Sequence, residues 1–121
     1  MFEVKIETHF SSAHHLLNYK GKCENLHGHN WRVEVTARGY KLDKSNILID
    51  FKTLKKITNE LIDYLDHKDL NELSEFKGES PSSEFIARFI YKKLKEQIQE
   101  ISRVDVWETE TSRASYFELE D

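Results

Sequence analysis

The sequence holds a single cysteine, so no disulfide can form within the chain, and a reducing cytoplasm is the expected setting. One proline and four glycines are too few for a flexible linker or a low-complexity segment. No stretch approaches the roughly 20 apolar residues of a membrane-spanning helix. The opening MFEVKIETHF lacks the basic start and apolar block of a signal peptide. A basic excess is missing too: 18 Lys+Arg stand against 22 Asp+Glu, a net charge of −4, which argues against a nucleic-acid-binding domain. The length, 121 residues, predicts one domain spanning 1–121 with one core. What the chain does have is six histidines. Three of them cluster, in the alternation described next, with the lone Cys23.

Residues 2 to 10 alternate, with Phe2, Val4, Ile6 and Phe10 on one parity and Glu3, Lys5, Glu7 and His9 on the other. That is a half-buried strand. Residues 29 to 38 alternate again, Trp31, Val33, Val35 and Ala37 facing one way. A polar stretch with Gly21 between them predicts an antiparallel hairpin with a long loop. Asp50 is the expected N-cap of a helix with Leu54, Ile57, Leu61, Ile62 and Leu65 at helical spacing. Ser80-Pro81-Ser82-Ser83-Glu84 announces a second helix, capped by Ser80 or Ser82, with a buried stripe of Ile86, Ile90, Leu94, Ile98 and Ile101. Val104, Val106 and Glu108 share one face of a third strand. Ser112-Arg113 is expected to turn the chain, and Phe117 and Leu119 to mark a last strand. The order ββααββ is that of an α+β fold, an antiparallel sheet covered by two helices.

His27 and His29 project from the same, apolar face of their strand. His14 shares parity with the apolar residues of the first strand. A hairpin that sets residue 14 near residues 27 to 29 also sets Phe10 near Trp31 and Val33, provided no bulge falls at Ser11-Ser12. One register therefore satisfies the core and gathers three imidazoles. Three nitrogen donors suit zinc, whose tetrahedral preference leaves one position open. A structural site would take a fourth ligand instead, and Cys23, four residues before His27, is the candidate. A set of core histidines is the remaining reading.

Cys23-Glu24-Asn25-Leu26-His27-Gly28-His29 resembles the CxxxHGH motif of the 6-pyruvoyltetrahydropterin synthase / 6-carboxytetrahydropterin synthase family. Ser12-Ala13-His14, Leu65-Asp66-His67, Pro81-Ser82-Ser83-Glu84 and Glu108-Thr109 fit the same pattern along nearly the whole chain. The resemblance implies the tunnelling fold, a four-stranded antiparallel sheet with two helices on one face, whose subunits join sheets into a barrel. It implies a homohexamer with active sites between subunits. It implies Zn2+ on His14, His27 and His29, and a proton-transfer set of Cys23, Asp66 and His67. Glu108 is expected to hold the pterin ring, helped by Ser82 and Ser83 of a neighbouring subunit.

The chemistry is consistent with those residues. Zinc on neutral imidazoles keeps its charge and acts as a Lewis acid. A thiol titrates near 8.5 in isolation, and a nearby metal lowers that value. A carboxylate on the inward face of a strand is costly unless paired, and a pterin edge offers Glu108 an amino group and a ring N–H. The family substrate is 7,8-dihydroneopterin triphosphate. The expected product is 6-carboxy-5,6,7,8-tetrahydropterin, with release of acetaldehyde and triphosphate, on the queuosine (7-deazaguanine) route. Glu24 also completes an ExxHGH motif, so a second activity yielding 6-hydroxymethyl-7,8-dihydropterin is an alternative, with Glu24 as a second base. A 6-pyruvoyltetrahydropterin synthase and a silent pterin- or zinc-binding module are the others. Lys20, Lys22 and Arg113 are candidates to neutralise triphosphate. His9 and His15 are read as non-ligands, and Trp31 and Trp107 as sheet residues.

Overall fold

The computed structural model describes residues 1–21 and 24–119, so Lys22 and Cys23 lie outside the described residues. Strand β1 runs Phe2–His14 and β2 His27–Gly39. Helix α1 spans Phe51–Leu65 and α2 Ser83–Lys95. Strands β3, Ile101–Thr109, and β4, Ser112–Tyr116, complete the order. Two single 3-10 turns, Leu70–Glu72 and Ser74–Phe76, join the helices. The strands pair antiparallel in the order β1-β2-β3-β4, leaving an open sheet with β1 and β4 at its edges.

The alternation decides which face is covered. Ile6, Phe10, Trp31, Val33, Val35, Val104 and Val106 are buried on one side. Leu54, Ile62 and Leu65 of α1 and Ile86, Ile90 and Leu94 of α2 join them in one core. Both helices start as the sequence signals. The Asp50 carboxylate accepts from Lys52 N at 2.7 Å, and the Ser82 hydroxyl accepts from Phe85 N at 3.1 Å. Caps of this kind contribute about 1 kcal/mol each. Ser80 has a different task, accepting from Leu17 N at 2.7 Å and donating to Leu17 O at 3.1 Å.

Three boundaries differ from the sequence reading. Helix α2 stops at Lys95, where Gln97 N closes a tighter turn onto Leu94 O, a carbonyl that also accepts from Ile98 N. Ile98 is buried in that turn and Ile101 opens β3, so neither lies on the helical stripe. The β3–β4 turn falls at Glu110-Thr111 rather than Ser112-Arg113, since Thr109 already pairs with Ser112. Strand β4 ends at Tyr116, and Phe117 and Leu119 are exposed beyond it. Alternation alone cannot locate a two-residue turn when polar residues flank it on both sides. Among the described residues, no helix is long and apolar enough to cross a membrane.

The uncovered face of the sheet is charged. The Trp107 indole donates to Glu34 Oε1 at 2.6 Å, and Arg32 lies over the Trp107 ring at 4.1 Å. Asp105 is buried there, accepting from Arg103 at 2.9 Å, from Arg113 at 2.5 Å and from the Ser115 hydroxyl. Burial alone would push the Asp105 carboxyl up. The Ser115 and Arg103 hydrogen bonds and the two guanidinium charges outweigh it and hold the group below its ordinary value. A depressed carboxyl adds stability above its unfolded pKa and loses it as the pH falls through the folded one. Asp105→Asn should therefore cost about 1–3 kcal/mol at neutral pH, less than a fully buried pair because both arginines can rehydrate. Urea denaturation measures it, and the gap between variant and wild type should close below about pH 4.

Candidate metal centre

The hairpin register fixes the site. His14 pairs with His27, Ser12 with His29 and Phe10 with Trp31, with no shift at Ser11-Ser12. The three imidazoles converge as the parity requires, their ring centres 4.7, 4.8 and 5.1 Å apart and set edge to face. Trp31 forms the floor, with His14 and His29 standing on edge against it at 4.9 and 5.2 Å. Its indole N–H donates to Ser12 O at 3.2 Å. Trp31 is thus more than a sheet residue.

Two carbonyls set the tautomers. His14 Nδ1 lies 2.7 Å from Pro81 O and His27 Nδ1 2.9 Å from Asn25 O. A carbonyl only accepts, so each Nδ1 carries the proton, and in the neutral ring Nε2 is left with a lone pair. Imidazoles that bind metals are oriented in this way, by a hydrogen bond from the other ring nitrogen. His14 Nε2 and His29 Nε2 are buried and make no hydrogen bond among the described residues. Glu108 joins them, with Oε1 3.2 Å from His14 Nε2 and 3.1 Å from His29 Nε2. One donor atom from each of His14, His27, His29 and Glu108 lies within 4.8 Å of the others. Burial lowers the pKa of His29; Glu108 opposes that shift, while His14 and His27 reinforce it. Buried ring nitrogens converging without hydrogen-bond partners fit a divalent cation, and the three-nitrogen, one-oxygen donor set is compatible with zinc.

The other candidate residues fall elsewhere. Asp66 caps the C-terminus of α1. Its Oδ1 accepts from Ser11 N at 2.8 Å, and its Oδ2 holds His67 Nδ1 at 2.8 Å. The Ser11 N–H is the main cause of a lowered Asp66 pKa; partial burial opposes it, and His67 adds to it. His67 sits in the left-handed region at φ 54° with its side chain 81% exposed. The segment is pinned along the β1 edge by His67 N to Ser11 O at 2.6 Å and Ala13 N to Lys68 O at 2.9 Å. No hydrogen bond or ring contact among the described residues joins this pair to the three imidazoles. Glu24 Oε1 accepts from Leu16 N at 2.9 Å, and Glu24 N donates to Leu16 O at 3.0 Å.

Ser82 lines a cleft of about 470 Å³ that none of the imidazoles reaches, where Arg88 is offset by Glu79 and Glu84. That balance does not suit a triphosphate. Arg113 is committed to Asp105 and Ser115 on the opposite face, and Lys20 lies against the Tyr19 ring. The sequence reading missed the Pro81 and Asn25 carbonyls. No sequence signal marks a backbone oxygen 67 positions from the ring it orients.

Comparison with known proteins points to one family. A family model described as 6-pyruvoyl tetrahydropterin synthase matches residues 3–119. The 6-carboxy-5,6,7,8-tetrahydropterin synthase of Synechocystis is 37% identical, covering 97% of this chain and 94% of the relative. The Haemophilus influenzae protein of the same name is 36% identical, over 98% and 100%. The 6-pyruvoyl tetrahydrobiopterin synthase of Dictyostelium discoideum is 33% identical, over 88% and 89%. The structure of Caenorhabditis elegans 6-pyruvoyl tetrahydropterin synthase superposes with a TM-score of 0.84 at 30% identity, covering 98% of each chain.

Metal titration with a chelator competitor should give one zinc per chain. His14→Ala should weaken binding at least about 100-fold, since it removes a ligand and uncovers the Pro81 carbonyl. Because metal binding needs the rings neutral, zinc affinity should fall as the solution is acidified.

Proposed function

The chain belongs to the 6-pyruvoyl tetrahydropterin synthase family, and from that premise we propose that it converts 7,8-dihydroneopterin triphosphate to 6-carboxy-5,6,7,8-tetrahydropterin, releasing acetaldehyde and triphosphate. The family is one of pterin-synthase enzymes. The carboxy product is favoured because the Synechocystis and Haemophilus relatives carry that name at higher identity than the pyruvoyl-type relative from Dictyostelium. The observation that carries the reading is the imidazole trio, two of its rings locked by carbonyls with Nε2 left to coordinate.

Zinc held by His14, His27 and His29 would supply Lewis acidity to the substrate's side-chain oxygens. Cys23, outside the described residues and four positions before His27, is proposed as the base that takes a proton from the side-chain carbon. Asp66 fixes the His67 ring through Nδ1, leaving Nε2 free to pass a proton onward. Glu108 supplies two acceptor oxygens to the amino and ring N–H groups of the pterin edge. Ser82, which caps α2, and Ser83, its first residue, are proposed to assist.

Among the described residues no hydrogen bond, ion pair or ring contact joins Asp66 and His67 to the trio, and the proposed assembly is a homohexamer in which the pair serves a neighbouring subunit. The open sheet supplies the edges for closing a barrel. The single cysteine fits a cytoplasmic setting, and the proposed place in metabolism is the queuosine route.

The direct test is incubation of the zinc-loaded protein with 7,8-dihydroneopterin triphosphate and separation of products. Acetaldehyde and triphosphate in equal amounts are expected. Triphosphate without acetaldehyde would indicate the pyruvoyl product, and no turnover with metal intact would indicate a binding module. Cys23→Ala should keep zinc and lose the carboxy product; loss of zinc would make the thiol a structural ligand. Glu24→Ala should spare the carboxy product and lower any 6-hydroxymethyl product, whereas equal loss of both would reduce Glu24 to a loop tie. His14→Ala and His67→Ala, each inactive alone, should recover activity when co-assembled. Failure to recover would place the whole site within one subunit.

A further inference from the structure

Glu108 is asked to do two things. The functional reading above gives its carboxylate to the pterin edge, yet the structure holds Oε1 3.2 Å from His14 Nε2 and 3.1 Å from His29 Nε2. The His14 ring already donates through Nδ1 to Pro81 O, so its neutral form faces the carboxylate with a lone pair. Two acceptors at that separation repel unless a cation lies between them. Protonating the ring would answer this for His14 alone, but it would put a charge beside two other imidazoles in a buried corner. One metal ion answers it for every donor at once. Bonds of about 2.0–2.1 Å to a tetrahedral ion place its donors about 3.3 Å apart, close to both separations seen.

The backbone at Glu108 is suited to movement. The β2–β3 ladder ends at Arg32 and Trp107. The β3–β4 register shifts between Trp107 and Thr109, which makes Glu108 the unpaired residue of a bulge. Bulges of this kind re-aim side chains beside active sites. The side chain is 34% exposed, against 2% for His14. The imidazoles are packed against one another and two are tied to carbonyls, whereas Glu108 has three rotatable bonds and no hydrogen-bonded anchor among the described residues.

We infer that Glu108 is the fourth metal donor while no pterin is bound, and that it leaves the metal for the pterin edge when substrate arrives. The second half rests on the pterin reading. Such an exchange links recognition of the ring to the opening of the coordination position that the side-chain oxygens need. It also keeps the metal four-coordinate between turnovers.

The test has two arms, neither of which measures turnover. In the first, zinc affinity is read by chelator competition, without pterin, for wild type, Glu108→Gln and Glu108→Ala. Both variants are expected to bind about 10–100-fold more weakly, with thermal melting of the zinc-loaded forms confirming that they fold. Wild-type affinity in a folded variant would overturn the ligation. In the second arm, Co2+ replaces zinc, and 7,8-dihydroneopterin without its triphosphate is the probe. Its addition should change the visible Co2+ spectrum of wild type, and Glu108→Ala should start with a different spectrum that changes less. A wild-type spectrum unmoved by bound pterin would overturn the exchange. If wild type binds no pterin, the functional reading and the exchange fail together, while the chelator arm still decides the ligation.

Discussion

The antiparallel pairing of β1 with β2 is the constraint on which the rest depends. In that register Phe10 faces Trp31, the two rings stacked with centres 5.8 Å apart, and four residues further on His14 faces His27. A slip of one residue would turn every side chain of one strand to the other face. It would expose Ile6 and Phe10 and scatter the imidazoles together. The cost of exposing those side chains, about 25 cal/mol for each Å² of apolar area, therefore guards the site as well as the core. The metal centre needs no separate device to align its strands.

Trp31 and Ser12 carry that constraint outward. Trp31 is fully buried and is both the partner of Phe10 and the floor beneath His14 and His29. Its N–H is satisfied by Ser12 O. The Ser12 hydroxyl in turn donates to Leu65 O, at the end of α1, and accepts from Lys68 N at 3.1 Å. A buried hydroxyl left unpaired costs about 1–3 kcal/mol, so the segment holding Asp66 and His67 is fastened to the strand that holds His14. Both parts of the proposed chemistry are thereby tied to one strand, β1.

The sequence made legible what is periodic. Strand parity brought His14, His27 and His29 together, and Asp50 and the Ser80–Glu84 run marked both helix starts. It could not show where a period stops. Ile98 and Ile101 continue the spacing of α2, yet the first packs in a turn and the second opens a strand, because an apolar residue serves either element equally well. Nor could it show contacts made by main-chain oxygens, and so Pro81 and Asn25 passed unnoticed. The sequence reading takes Glu108 as an inward carboxylate in want of partners. That the partners within reach are imidazole nitrogens follows from a bulge, and a bulge leaves no mark in the alternation.

The backbone at His67 is strained. A histidine at φ 54° is costly relative to an extended or helical conformation, and here it is over-determined by the Asp66 carboxylate and the Ser11 carbonyl. If the ring served only its own subunit, such rigidity would be wasted on a side chain 81% exposed and, among the described residues, joined to the trio by no hydrogen bond or ring contact. Rigidity has value when the target belongs to another copy, because a loose side chain would lose its orientation in the search across the interface. The segment 66–69 also occupies the β1 edge beside residues 11–13. A neighbouring sheet cannot pair with that stretch and is left the rest of the edge. On the proposed assembly, the residues that present the proton-transfer pair are thus also those that limit where the next subunit docks, so catalytic alignment and barrel closure become one geometric requirement.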